Sequence, residues 1–430
     1  PILRTAKGFE YLMKNKKLIR IFTFNQSFHW FMTGLMIPIL TLLLLKKGLD
    51  LFQIGIALGL YSGFVILFEL PTGGLADSIG RKRVYLISLV ASLIAMTFLL
   101  FAQSFISLST GFVFMGIARA LSSGTMDAWF VDEFRKNDIN GNLQAAFAKV
   151  GIFIPLGLGA GAILGGVLPM TLGKVTARLP NFDIYSANIL VVLFFGILQI
   201  YLTSKLIHDP RSEASNASIL NGLKEFPRVI SDSIQYGFKN RIVFLLALST
   251  GAWGLGISGV ELLWQPQTKI ILGSDSQTWI FGLMSAGYFV ASALGSFIAS
   301  PLCKLFNNNY QGVLAGARFL MGGALFILAL QAEIIGFIGL YWGLFIFNGI
   351  MNSPHAAIFN DNIPEEQRST LLSFESVIMQ MGGVLGSIGL GYLSQSFSIS
   401  TAWFVGAGVL ALSSLFYIFL PKESKQKLAT

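Results

Sequence analysis

The stretch GGLADSIGRKR, residues 73–83, gathers three glycines, one acid and three consecutive cations between two long apolar runs. Upstream lies LFQIGIALGLYSGFVILFELPT and downstream VYLISLVASLIAMTFLLFA. Each is about 20 residues long, the length at which a helix crosses the hydrocarbon core of a bilayer. A charged knot has no place inside lipid, so it marks the join between two membrane-spanning helices. A transmembrane β-barrel is excluded, because its strands read as short alternating segments.

The same pattern runs through the chain. Hydrophobic residues make up 54% of the 430 and charged residues 12%, about half the charged share of a soluble domain. Mean hydropathy is +0.68. Apolar segments fall at roughly 18–45, 52–76, 84–102, 105–131, 143–168, 184–206, 242–266, 278–303, 312–332, 334–358, 370–394 and 400–420. An all-α membrane protein of twelve spans follows. The longest polar interruption lies between the sixth and seventh. Its second half sets Leu223, Phe226, Ile230 and Ile234 at helical spacing, which predicts an amphipathic helix on the membrane surface. The chain reads as an N-terminal six-helix half (1–206), a cytoplasmic linker (207–241) and a C-terminal six-helix half (242–430).

Most of the 30 Lys and Arg residues fall on one side of this twelve-span layout, beginning with the basic N-terminal lead FEYLMKNKKLIRIF. Cations accumulate on the cytoplasmic side, so both termini are expected there, in a multi-pass protein of the cytoplasmic (inner) membrane. The net charge of +9 is this topology signal and does not indicate nucleic-acid binding. The single cysteine, Cys303, excludes an intrachain disulfide framework and a Cys-based zinc cluster. No nucleophile–base pair or metal spacing stands out among three histidines and one cysteine, so an enzyme is not expected. No Walker-type loop appears, which argues against ATP drive.

The halves echo each other. AWFVDEF ends span 4 with Ala128 and Asp132; AAIFNDN ends span 10 with Ala357 and Asp361. Lys149 and Glu375 follow at matching depth in spans 5 and 11. Internal repeats of this kind are the usual build of secondary transporters.

With twelve spans, a long central loop and the pattern G-x-x-x-D-x-x-G-R-K-R in the join of spans 2 and 3 (Gly73, Asp77, Gly80, Arg81, Lys82, Arg83), the chain resembles the major facilitator superfamily. RALSSGTMDAWFVDEF and NDNIPEEQRSTLLSF are similar to its bacterial drug or metabolite exporters. The resemblance implies two pseudo-symmetric six-helix halves around a central cavity, alternating access, and no cofactor. It also implies that Asp77 docks on the N-terminal end of span 11 when the cytoplasmic side is shut. Span 5 reads GLGAGAILGG, with Gly157, Gly161, Gly165 and Gly166 of the antiporter pattern but Ala162 where proline is expected.

The knot itself has a physical reading. Gly73, Gly74 and Gly80 supply a tight loop. Asp77 caps a neighbouring helix. Arg81 pairs with Asp132, forming a latch, while Lys82 and Arg83 set topology. Inside the spans, ionisable groups are expensive and point to function. Arg119, about 20 Å before Asp132 along a continuous helix, is a cavity candidate. Glu261 is the candidate proton carrier. His29, with Asn25 one turn below, and the stripe Asn348 and Asn352 are candidate substrate or proton contacts. Glu69 and Glu375, in spans 2 and 11, form a candidate gate that shares a proton. Asp127 belongs either to the latch or to the cavity. Trp30, Trp253, Trp264 and Trp342 are candidate contacts for an apolar ligand. The expected function is proton-coupled export of a small amphiphilic molecule by a monomer in the bilayer; the alternative is an importer or facilitator of a nutrient or organic anion.

Overall fold

A backbone that crosses lipid has no water to bond, so it must satisfy its N–H and C=O groups internally, and an apolar run of this length does so as a helix. The computed structural model describes residues 2–139, 141–209, 240–274, 276–363 and 368–421. The linker helix expected around Leu223–Ile234 lies outside them. Among the described residues there is helix and no strand.

The first sequence half comprises α1 (Ile2–Met36), α2 (Leu40–Lys46), α3 (Leu51–Ile79), α4 (Arg81–Phe101), α5 (Phe105–Ser122), α6 (Thr125–Asn137), α7 (Leu143–Val167), the short α8 (Leu172–Thr176) and α9 (Ser186–Leu206). The second comprises α10 (Arg241–Leu272), α11 (Thr278–Leu305), α12 (Tyr310–Leu328), α13 (Ile334–Asp361), α14 (Arg368–Ser396) and α15 (Ile399–Ile418). Among the described residues, eleven spans are long and apolar enough to cross a membrane, with α5 and α6 counted as one. The pair α1 and α2, bent by 41° at the break around Pro38, makes the twelfth.

The knot is not a loop. α3 runs through Gly73 and Gly74 as far as Ile79, and Gly80 alone turns the chain, with φ 92°, before α4 begins at Arg81. One residue in a conformation that only glycine adopts freely is enough to reverse direction. Gly80 has no side chain to cap α4. Asp209, beyond the end of α9, takes that place by accepting from the Lys82 amide at 3.1 Å. Lys82 therefore does more than set topology, since its Nζ also donates to the Ser204 carbonyl at 2.8 Å.

The chain divides into two compact units: Pro1–Leu49 with Leu60–Phe226 and Leu272–Gly287, and Asp50–Gly59 with Pro227–Ile271 and Tyr288–Thr430. Each unit thus takes a short piece from the other sequence half. In the first, Thr278 Oγ1 donates to the Gly166 carbonyl at 2.5 Å. In the second, the Leu51 amide donates to Gln395 Oε1 at 3.2 Å.

The repeat appears in the packing. In the first unit, Gly157, Gly161 and Gly165 of α7 lie directly on the backbone of α1 at Ser27, Phe31 and Leu35. In the second, Gly254, Gly382 and Gly386 bring α10 and α14 together in the same way. Association in lipid relies on close packing rather than on a hydrophobic drive, and small residues allow it. The glycines of span 5 are therefore a helix-packing surface. Asn188 of α9 closes the first contact by donating to the carbonyls of Leu35 and Gly165, both at 2.8 Å.

Candidate functional site

Span 4 does not run straight. It breaks at Ser123 (φ −59°, ψ 121°) and Gly124 (φ 64°), separating α5 from α6. The expected 20 Å of continuous helix between Arg119 and Asp132 is therefore interrupted. The break leaves Arg119 in the last turn of α5, where its carbonyl accepts from the Ser123 amide.

Arg119 lines a cavity of about 280 Å³ in the first unit. His29, Trp30, Met96, Met115 and Ser122 are among the other walls. The guanidinium lies 5.7 Å from the Trp30 ring centre, within reach of a cation–π interaction. His29 meets Trp30 edge-on at 5.9 Å, and its Nδ1 is buried without a hydrogen-bond partner. Asp127, in the first turn of α6, interacts electrostatically with Arg119.

Asn25 departs from its expected role. It is buried, does not line this cavity, and donates to Thr203 Oγ1 at 2.8 Å. Gln199 ties the same corner together by donating to the Asn25 carbonyl and to the Tyr85 hydroxyl. Asn25 thus packs α1 against α9, because a buried amide is held by whatever polar neighbour it has.

The second unit holds a different cavity, of about 240 Å³, where α10, α12, α13, α14 and α15 meet. Its wall is a row of hydrogen bonds. Arg318 Nη2 donates to the Tyr417 hydroxyl at 3.2 Å; that oxygen lies 3.2 Å from His355 Nδ1; and His355 Nε2 lies 2.5 Å from Glu375 Oε1. Thr250 Oγ1 donates to the same carboxylate oxygen at 2.8 Å. Arg318 is 3% exposed, and its Nε and Nη1 have no hydrogen-bond partner. Asn348 accepts from Trp253 Nε1 at 2.7 Å on the same wall, and Asn352 lies beside it. Sequence reasoning pairs Glu375 with Glu69; its carboxylate is instead taken up by His355 and Thr250. Arg318, His355 and Tyr417 are site residues that sequence reasoning misses. The signal that could find them is that intramembrane charges need partners.

Glu261 stands apart. It is an exposed residue of α10 with Tyr288 and Tyr341 in electrostatic reach. Trp264 packs on Tyr341 at 5.4 Å and is buried, so it is a packing residue. Arg81 Nη1 lies 2.8 Å from Asp132 Oδ2. Asp77 is in the last turn of α3. Its side chain and those at the start of α14 lie outside the described residues, and so does the expected docking of Asp77. Glu69 lies on α3. Among the described residues no cluster has the makeup of a metal site.

The family model of the Major Facilitator Superfamily matches residues 22–346 and 263–430. The chain is 23% identical over 397 residues to the "Uncharacterized MFS-type transporter YxaM" of Bacillus subtilis (strain 168), covering 90% of this chain and 92% of that one. It is 22% identical over 424 residues to the "Quinolone resistance protein NorA" of Staphylococcus aureus (strain MSSA476), covering 96% and 98%. Among solved structures, the nucleoside transporter NupG aligns with TM-score 0.74 at 14% identity, over 94% of this chain and 98% of that one. A bacterial homologue of the human lysosomal transporter Spinster, in an inward-facing and unoccupied conformation, aligns with TM-score 0.71 at 13% identity, over 95% of each. These likenesses share the all-helical fold derived above, and together with the family match they make the chain a multi-pass membrane transporter of the major facilitator superfamily.

Proposed function

We propose that the protein exports small amphiphilic molecules across the cytoplasmic membrane in exchange for protons, acting as a monomer with both termini in the cytoplasm. The observation that carries this reading is the cavity of the first unit. It is walled by Trp30, Met96 and Met115 and offers one permanent charge, the Arg119 guanidinium. Its volume is near the lower end of ordinary ligand pockets, about 300–1,000 Å³. Aromatic and thioether walls accept a flat apolar body of varied shape, and the guanidinium takes a carboxylate or another polar acceptor. A planar aromatic acid such as a quinolone has both parts, and the likeness to the quinolone resistance protein NorA supports that chemistry. Protonatable groups within the spans supply the means of coupling. Alternating access then follows from differential affinity of proton and substrate for two states.

The second reading is an importer or facilitator of an organic nutrient. Arg119 favours it for an anion, and the nucleoside transporter NupG shares the fold. One experiment separates the two. Purified protein in liposomes is offered a fluorescent fluoroquinolone, with protein-free liposomes as the control. Export by antiport requires accumulation in vesicles that are acid inside, where protons leave as substrate enters, and its collapse with a protonophore. Accumulation only when the outside is acid supports import by symport. Flux that ignores the pH gradient in both directions refutes coupling.

A further inference from the structure

We propose that His355 and Glu375 form the proton-binding site of the transporter, with the Tyr417 hydroxyl as a reversible hydrogen bond linking that pair to Arg318. The inference rests on the proton-coupled reading above and moves the proton from Glu261 to the second-unit cavity.

The argument begins with Arg318. A guanidinium is permanently charged, and this one is 3% exposed with two of its three nitrogens unpartnered. A lone buried cation is costly, so a compensating charge must be near. Among the residues walling the cavity, the acid is Glu375, reached through Tyr417 and His355. The groups facing the pair are Thr250 from α10, Arg318 from α12, Tyr417 from α15 and the amides Asn348 and Asn352 from α13, the helix that also bears His355. With Arg318 and Glu375 charged and His355 neutral, the row balances.

The hydrogen bonds give that row two settings. With neutral His355, Arg318 Nη2 donates to the Tyr417 oxygen, Tyr417 donates to His355 Nδ1, and Nε2–H donates to Glu375. A proton arriving from solvent occupies Nδ1. Nδ1–H then donates to the Tyr417 oxygen, which already accepts from Arg318, and the Tyr417 hydrogen must turn elsewhere. Ser249 Oγ provides the acceptor: it is fully buried and faces Tyr417 from α10, within reach of a side-chain hydrogen bond. No bond breaks except the hydrogen bond that reverses. The protonated row carries one uncompensated positive charge among five packed helices. Protonation thereby changes the relative free energy of any two arrangements of those helices, which is the requirement for coupling. Glu261 has no such row among the described residues: two tyrosines neighbour it, with no histidine or guanidinium between them.

The test starts without substrate. The chain has three histidines, His29, His208 and His355, so protein labelled with ¹⁵N-histidine gives few ring signals, and His355→Gln assigns the one in question. The expected result is a His355 ring that changes protonation between about pH 5 and 9, with a midpoint that moves in Glu375→Gln and in Tyr417→Phe but not in Glu261→Gln. Tyr417→Phe keeps the ring packing and serves if Glu375→Gln fails to fold. A ring whose protonation is constant over that range, or whose midpoint ignores both substitutions, overturns the proposal. The second arm is flux of the fluoroquinolone in liposomes. Glu375→Gln is expected to lose gradient-driven accumulation by roughly tenfold or more. Coupled accumulation that survives Glu375→Gln overturns the site while leaving coupled export standing. A wild-type protein that ignores the gradient overturns coupling itself, and with it the role of the pair.

Discussion

Gly159 and Gly161 lie two residues apart on α7, and alanine at each is expected to have opposite effects. Both sit inside a helix, where exchanging glycine for alanine gains about 0.5–1 kcal/mol from backbone entropy alone. A Cβ at Gly159 would meet nothing within 4 Å, so that gain is the whole effect and Gly159→Ala stabilises. A Cβ at Gly161 would run into the Phe31 carbonyl and stand 3.1 Å from Gly34 Cα. Both obstacles are backbone of α1, which cannot rotate aside as a side chain can. The helices must part, and forced overpacking costs about 1–3 kcal/mol. Parting also strains the Asn188 bonds that clamp α1 to α7. Gly161→Ala should therefore destabilise by about 0.5–2 kcal/mol, leaving the two variants about 1–3 kcal/mol apart, since the entropic gain is common to both. Reversible unfolding in mixed detergent micelles, followed by tryptophan fluorescence, reads this difference as displaced midpoints. Equal shifts of the same sign in the two variants would falsify the assignment of these glycines to packing.

Three further outcomes are expected. Arg119→Ala removes both the cavity cation and its stack on Trp30, so fluoroquinolone binding measured by tryptophan quenching should weaken about tenfold, corresponding to about 1.4 kcal/mol; unchanged affinity takes Arg119 out of the site. Asn188→Ala deletes two 2.8 Å hydrogen bonds at a fully buried position, and should lower unfolding stability by about 2–3 kcal/mol, whereas a loss near zero would mean that α1 and α7 are held by packing alone. Gly124, at φ 64° with open space around it, should accept asparagine with little change but lose about 1 kcal/mol on substitution by alanine. Indistinguishable melting of Gly124→Asn and Gly124→Ala would mean that the break in span 4 does not depend on this residue.

What could be read in the sequence was whatever lipid imposes locally. Apolar length gives spans, because the bilayer has a fixed thickness, and the glycine spacing of span 5 gives a face, because a helix repeats every turn. The knot illustrates where local reading stops. Its three glycines look alike on paper, but the helix continues through Gly73 and Gly74 and turns only at Gly80. The difference lies in neighbours that arrive from residue 204 and beyond: Asp209 caps α4, and Lys82 reaches the end of α9. The same limit explains the site. Arg119 is a cavity candidate and Trp30 a candidate ligand contact on sequence grounds alone, so their meeting was within reach. Asn25 and His29, four residues apart, seemed to share one task, yet Asn25 is spent on Thr203 while His29 walls the cavity. Helix rotation decides this, and rotation is set by partners distant in sequence. Arg318, His355, Glu375 and Tyr417 come from four helices, and no spacing along the chain relates them. Each nevertheless breaks a local rule, since three are ionisable groups within apolar spans and the fourth is a fully buried hydroxyl. Residues that violate the local pattern of a membrane chain must be reconciled in three dimensions, because lipid offers them no other partner. Collected as a set rather than weighed singly, they already point to one another.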